Sequence, residues 1–251
     1  YHLSNASNKI NHIASNTLSL PNMHQLKQSL HHSTNNKVAG EFLPSLTQEL
    51  EQVITNPSNI PIVRYKALKI YLMFKQPEHF SAEAIENWFV NEWSKDPQKS
   101  SKNSLALLEQ TISKPLPTLP INEQLISDAR NYLNALPATY LYYSLAKEYF
   151  PQNKQKIAVE GFNLASNELP VYFTKAGYKD IMKRLSDISS KLQAEHWVLG
   201  RQDLSDLDKM LTHAYSFDYL TWWQSFMKKS QPLRYQDYQQ GRQIAHRLQK
   251  S

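Results

Sequence analysis

The 251-residue sequence contains no cysteine. Disulfides, thiol catalysis and cysteine-ligated zinc are thereby excluded. The absence also fits an oxidising compartment, where stray thiols are disfavoured. Glycine is scarce, with five in the whole chain, which argues against an all-β fold dense in tight turns. No run approaches the roughly 20 consecutive apolar residues of a membrane-spanning helix. The chain opens at Tyr1 without a signal-peptide pattern, and a segment cut from a longer protein is expected. Missing too are the G-x-S-x-G elbow, the Walker phosphate loop, the G-x-G-x-x-G fingerprint and the H-E-x-x-H zinc pair. No catalytic residue, no cofactor and no metal site is predicted.

What is present describes a globular, mildly basic chain, 41% hydrophobic and 20% charged, with net charge +6 and pI 9.2. The lysines are scattered. Neither an Arg-rich helix face nor an RNP-like aromatic motif accompanies them, so nucleic acid is not an expected partner. A solvated basic surface is the plain reading, with a basic face near an anionic membrane as the alternative.

The polar residues read as structural or solvated. Of nine histidines, His31 and His32 are adjacent, so on a helix they point about 100° apart. Glu195-His196 lacks a second histidine four residues on, and His213 is expected to pack within a helix. Asp203, Asp206 and Asp208 lack the glycine and glutamate of a calcium loop, and suit a helix N-terminus. The pairs Glu83 and Glu86, and Glu49 and Glu51, are expected to be solvated charges on helices.

Helical periodicity dominates. Residues 1–36 form an Asn-, Ser- and His-rich arm with one weak helix from Leu18 to Leu30. A helix over Val38–Ile54 carries Phe42, Leu46, Leu50 and Val53 on one face. Pro57 and Pro61 separate it from a second stripe of Tyr65, Leu68, Leu72 and Met73. Ser81 suits the N-cap of a third helix, with Ile85, Trp88 and Phe89 inward. Ser104–Ile112 follows, then the connector Lys114-Pro-Leu-Pro-Thr-Leu-Pro120. Asn122–Leu136 is the next helix, and Pro137 opens another bearing Tyr140, Leu141, Tyr143, Leu145 and Tyr149. Ser205 and Asp208 are spaced as a capping box ahead of a stripe of Leu207, Leu211, Tyr215, Tyr219, Trp222 and Phe226. A last helix runs from about Tyr235 to Leu248. The expected fold is mainly α: a multi-helix bundle in two packed helical subdomains, with a small β-hairpin or irregular ribbon around residues 155–174. The expected organisation is an arm (1–36), an N-terminal helical subdomain (37–113), a Pro-rich connector (114–121) and a C-terminal helical subdomain (122–251).

One stretch departs from this pattern: Glu168-Leu-Pro-Val-Tyr-Phe-Thr-Lys-Ala-Gly-Tyr-Lys179. Val171-Tyr-Phe173 reads as a short extended run stopping at Thr174, which caps a helix toward Ala194. Gly177, in that helix's first turn, is expected to let the preceding segment pack closely. Downstream, Trp222 belongs to the apolar stripe. Trp223 lies beside it and is the interaction candidate, with packing against a neighbouring helix as its plain alternative.

Three blocks resemble the IcmF/TssM family of bacterial secretion systems. The first is Phe42-Leu-Pro through Leu50-Glu51 with Tyr65-Lys-Ala-Leu-Lys-Ile-Tyr-Leu-Met73. The second is Leu169 to Tyr178, carrying Pro170, Phe173, Thr174, Gly177 and Tyr178. The third joins Trp197-Val-Leu-Gly200 to Tyr215, Asp218, Tyr219 and Trp222. The chain departs from the family in having Phe74-Lys-Gln-Pro77 where a Gly-Asp-Pro turn is usual, and in a short segment between Tyr149 and Leu169. The resemblance implies a periplasmic, helical segment of an inner-membrane protein, anchored through parts outside this chain. It implies a structural role in an envelope-spanning apparatus, and the Asn, Gln and Lys richness favours type IVB (Dot/Icm) over type VI. It also implies partnership with a DotU/TssL-type inner-membrane protein and other subunits. A cell-wall enzyme with a dispersed carboxylate site is the alternative class.

Overall fold

Prolines and polar caps divide the chain into helices. The computed structural model describes residues 35–96, 99, 102–112, 121–201, 203–234 and 236–248. The Leu18–Leu30 helix, His31, His32 and all of the connector but Ile121 lie outside the described residues. Among those described, the fold is mainly α, with ten α-helices and two small two-stranded pairings. Two compact units divide between Ala135 and Leu136.

In the first unit, α1 (Asn35–Thr55), α2 (Pro61–Met73), α3 (Ala82–Trp93), α4 (Lys102–Ile112) and α5 (Glu123–Asn134) follow in order. Pro61 occupies the first turn of α2, where its missing N–H costs nothing. Ser81 caps α3 by accepting from the Ala84 N–H, and Asn122 caps α5 by accepting from Leu125. Leu43, Leu46, Leu50 and Ile54 of α1 are buried, as are Tyr65, Leu68, Tyr71 and Leu72 of α2. The α1 stripe thus runs through Ile54; Val53 is half-buried. Helix α5 packs on α1 and α2, although the sequence pattern put it after the connector.

Two carboxylates expected in solvent are instead inside this unit's polar framework. Glu49, its side chain 12% exposed, accepts from the Trp93 indole N–H at 3.1 Å and from Lys99 at 2.8 Å. Glu51 accepts from the Tyr71 hydroxyl, which itself accepts the Asn122 N–H at 3.0 Å. The reason is reach. Both residues flank the buried Leu50, and from there Glu51 reaches Tyr71 of α2 and Glu49 reaches Trp93 of α3, a phenol and an indole that need partners.

Burial, and then the bond to Glu51, push the Tyr71 hydroxyl up to about 12. The folded state therefore prefers neutral Tyr71. Its contribution to stability is complete below the unfolded value of about 10 and is lost as pH rises through about 12. Urea unfolding at about pH 9 and about pH 11 is expected to show a steeper alkaline loss in the wild type than in Tyr71→Phe. Equal losses would contradict the assignment.

The second unit holds α6 (Ala138–Ala146), β1 (Lys154–Lys156), β2 (Phe162–Asn163), β3 (Glu168–Pro170), α7 (Lys175–Ala194), α8 (His196–Leu199), α9 (Leu207–Lys229), β4 (Gln231–Pro232) and α10 (Tyr238–Leu248). Strand β1 pairs antiparallel with β3, Gln155 opposite Leu169, which makes the ribbon expected between 155 and 174. Strand β2 pairs with the distant β4, Phe162 opposite Pro232. Helix α9 is the spine: α7 and α6 both pack on it.

Four local expectations are corrected here. Val171–Phe173 is a 3₁₀ turn rather than an extended run. The extended segment is β3, and the chain bends at Pro170, whose fixed φ of −55° ends the strand. The Ser205/Asp208 capping box does not form. Asp206 occupies the N-cap with φ −99° and ψ 14°, makes no capping bond, and pairs with Lys209. In α6, Tyr142 is buried and Tyr140 is 51% exposed, one position from the expected face. His213 is exposed on α9 rather than packed.

Candidate functional site

The departing stretch, residues 168–179, becomes a clasp in which each carbonyl of the 3₁₀ turn is taken by a named donor. The Val171 carbonyl accepts from the Thr174 N–H at 3.0 Å and from the Thr174 hydroxyl at 2.8 Å. Thr174 Oγ1 in turn accepts the Gly177 N–H at 2.9 Å, which caps α7. The Tyr172 carbonyl accepts from the Tyr215 hydroxyl at 2.5 Å. The Phe173 carbonyl accepts from the Trp223 indole N–H at 2.8 Å. Tyr215 and Trp223 stand two turns apart on α9, so one helix holds the turn by two polar handles.

Gly177 explains how closely the turn can seat. A Cβ at this position would lie 2.0 Å from the Val171 oxygen and 2.8 Å from the Tyr172 Cα. Backbone approaches backbone here, and only glycine leaves the space.

Around the turn runs a continuous aromatic cluster. Phe173 stacks on Trp222 at 5.1 Å, and Trp222 stacks on Phe226 at 5.1 Å. Tyr178 stacks on Tyr215 at 5.5 Å and tilts against Tyr219 at 4.7 Å. Phe150 meets the edges of this cluster at Tyr143, Tyr172 and Tyr215. Asp218 accepts from the Tyr143 hydroxyl at 2.7 Å, with Lys147 at 3.9 Å.

Burial pushes the hydroxyls of Tyr143, Tyr172 and Tyr215 above the ordinary tyrosine value, and at Tyr143 the bond to Asp218 adds to it. They stay protonated at neutral pH, and those of Tyr143 and Tyr215 donate to Asp218 and to the Tyr172 carbonyl.

Of the motif residues, Pro170, Phe173, Thr174, Gly177, Tyr178, Tyr219 and Trp222 converge on the clasp. The other two lie at the far end of α7. Trp197 is half-buried in α8, and Gly200 ends α8 in the left-handed region at φ 68°. Trp223, the interaction candidate, is half-buried and committed to Phe173. Tyr143 comes from the expected α6 stripe and Asp218 from the third block, whereas no sequence signal marks Phe150 or the Tyr143–Asp218 bond.

The family model for IcmF-related proteins, described as "Intracellular multiplication and human macrophage-killing", matches residues 4–251. The chain belongs to the IcmF-related family. It is similar to the type VI secretion system component TssM1 of Pseudomonas aeruginosa, at 23% identity over 214 residues. That alignment covers 74% of this chain and 19% of the relative, so the chain spans about a fifth of that relative's length. No solved structure matches.

In this IcmF-related chain the clasp makes a direct prediction. Trp223→Phe keeps the ring but leaves the Phe173 carbonyl without its donor. The expected cost is about 1 kcal/mol, a fall in Tm of about 2–4 °C. An unchanged melting curve would show that the bond contributes nothing.

Proposed function

We propose that this chain is a structural, partner-binding segment of a secretion-system component, on the periplasmic side of the bacterial inner membrane. Membership of the IcmF-related family carries the reading. The geometry supports it: the most distinctive motif is spent on backbone-to-backbone packing, and the carboxylates Glu49 and Glu51 are spent on internal hydrogen bonds. The motif positions Pro170, Phe173, Thr174, Gly177, Tyr178, Trp197, Gly200, Tyr219 and Trp222 serve the scaffold. A DotU/TssL-type inner-membrane subunit is the partner we assign to the longer protein. Among the described residues no helix is long and apolar enough to cross a membrane. Anchoring through segments outside this chain is part of the proposal.

A type IVB apparatus is the setting we favour, on the family description and the Asn, Gln and Lys richness of the sequence. The TssM1 match favours the type VI apparatus as the second reading. Deleting the segment encoding this chain from the full-length gene is expected to abolish effector translocation and to reduce recovery of the other membrane subunits with it. Translocation at the wild-type level after deletion would overturn the proposal. The apparatus whose subunits co-purify with the full-length protein identifies the branch.

A further inference from the structure

Helix α9 carries a second apolar stripe that, among the described residues, is left exposed by the elements of its own unit. Its buried face holds Leu207, Leu211, Tyr215 and Phe226. About opposite that face stand Met210, His213, Phe217, Leu220, Gln224 and Met227. Phe217 is 66% exposed, Leu220 58% and Met227 62%. His213 and Gln224 are exposed and Met210 is half-buried. Large apolar side chains set in a row on the outer face of a helix mark an interaction surface. The spacing is more specific than that: the steps are three, four, three, four and three, the a/d alternation of a coiled-coil seam.

The seam is also palindromic. Laid antiparallel against a second copy of α9, Met210 faces Met227, His213 faces Gln224, and Phe217 faces Leu220, each pair occurring twice about a two-fold axis between Asp218 and Tyr219. The apolar layers lie at the centre and the two ends. Between them sit the His213–Gln224 layers, which can hydrogen-bond only in the matching register and so fix orientation. The charges agree. The N-cap and first turn of the helix carry Asp206 and Asp208 with Lys209, two acids against one base, net −1. Its end carries Lys228 and Lys229, net +2. Antiparallel pairing sets each acidic end beside a basic end and opposes the helix dipoles, whereas parallel pairing sets like beside like.

We propose that a second copy of this chain covers the stripe, pairing α9 with α9 antiparallel in this register. The proposal is independent of the secretion reading, since it rests on the seam alone. One helix pair makes a small interface, so the dimer is expected to assemble at micromolar concentrations and above.

Sedimentation velocity of the 251-residue chain across low to high micromolar concentrations is expected to shift from monomer to dimer. The double variant Phe217→Glu/Leu220→Glu changes only exposed side chains. It is expected to keep the wild-type circular dichroism and melting curve while remaining monomeric throughout. Orientation is read by cross-linking, which the absence of native cysteine makes clean. A chain bearing Met210→Cys mixed with a chain bearing Met227→Cys is expected to yield the mixed disulfide in several-fold excess over either self-pair. A wild type that stays monomeric at every concentration, a folded double variant that still dimerises, or an excess of Met210→Cys self-pairs would each overturn the proposal.

Discussion

Gly177→Ala is expected to destabilise the second unit by about 3 kcal/mol, the upper end of what one added methyl costs in a packed interior. The new Cβ would meet the Val171 carbonyl oxygen at 2.0 Å, and backbone cannot rotate aside as a side chain can. To admit it, the 3₁₀ turn must lift from α7. Lifting breaks the Thr174 cap and draws the Tyr172 and Phe173 carbonyls away from Tyr215 and Trp223. The loss is therefore coupled, and hydrogen exchange in the first turns of α7 should accelerate together with the fall in Tm. Thr174→Ala provides the comparison. It removes the cap alone and is expected to cost about 1 kcal/mol. If Gly177→Ala melts at the wild-type temperature, the close approach is not what glycine serves here.

The second large effect lies in the first unit. Trp93→Ala is expected to cost about 4 kcal/mol, as for other large-to-small core replacements. Trp93 is fully buried, its ring tilts against Phe89 at 5.2 Å, and its N–H reaches Glu49. Removing the ring opens a cavity and leaves Glu49, only 12% exposed, with Lys99 as its remaining partner. Trp93→Phe fills most of the space and loses only the donor, for an expected cost of about 1.5 kcal/mol. Chemical unfolding of the three proteins should rank them in that order. A Trp93→Phe protein as unstable as Trp93→Ala would mean that the bond to Glu49 outweighs the packing.

These two sites illustrate what the sequence makes legible. The helices around Phe42–Ile54, Tyr65–Met73 and Leu207–Phe226 could be read because their apolar residues recur at helical steps, and Pro61, Ser81 and Asn122 punctuate them. Trp93 continues the Ile85–Phe89 stripe by one more step of four, a signal that was present and unused. The Thr174 cap and the tight seat of Gly177 were legible because both are local. The partners of the turn were not, since Tyr215 and Trp223 lie 43 and 50 residues away. Nothing in local sequence says which phenol or indole will reach which carbonyl. The internal bonds of Glu49 and Glu51 escape local sequence for the same reason. A glutamate on a polar helix face looks solvated until a distant aromatic donor folds over it. Val171–Phe173 reads as extended because its β-branched and aromatic residues favour that structure locally, whereas packing on α7 and α9 curls it into a turn.

We propose that the distinctive residues of this chain serve a scaffold rather than a reaction. Effector translocation, measured in bacteria carrying the full-length protein, tests it most directly. The panel pairs Gly177→Ala, Thr174→Ala and Trp93→Phe with the exposed carboxylate variants Glu83→Gln and Glu86→Gln. The scaffold account expects translocation to fall in step with the abundance of folded protein across the first group, and to stay at the wild-type level in the second. A carboxylate variant that folds, accumulates and assembles normally, yet translocates nothing, would contradict it.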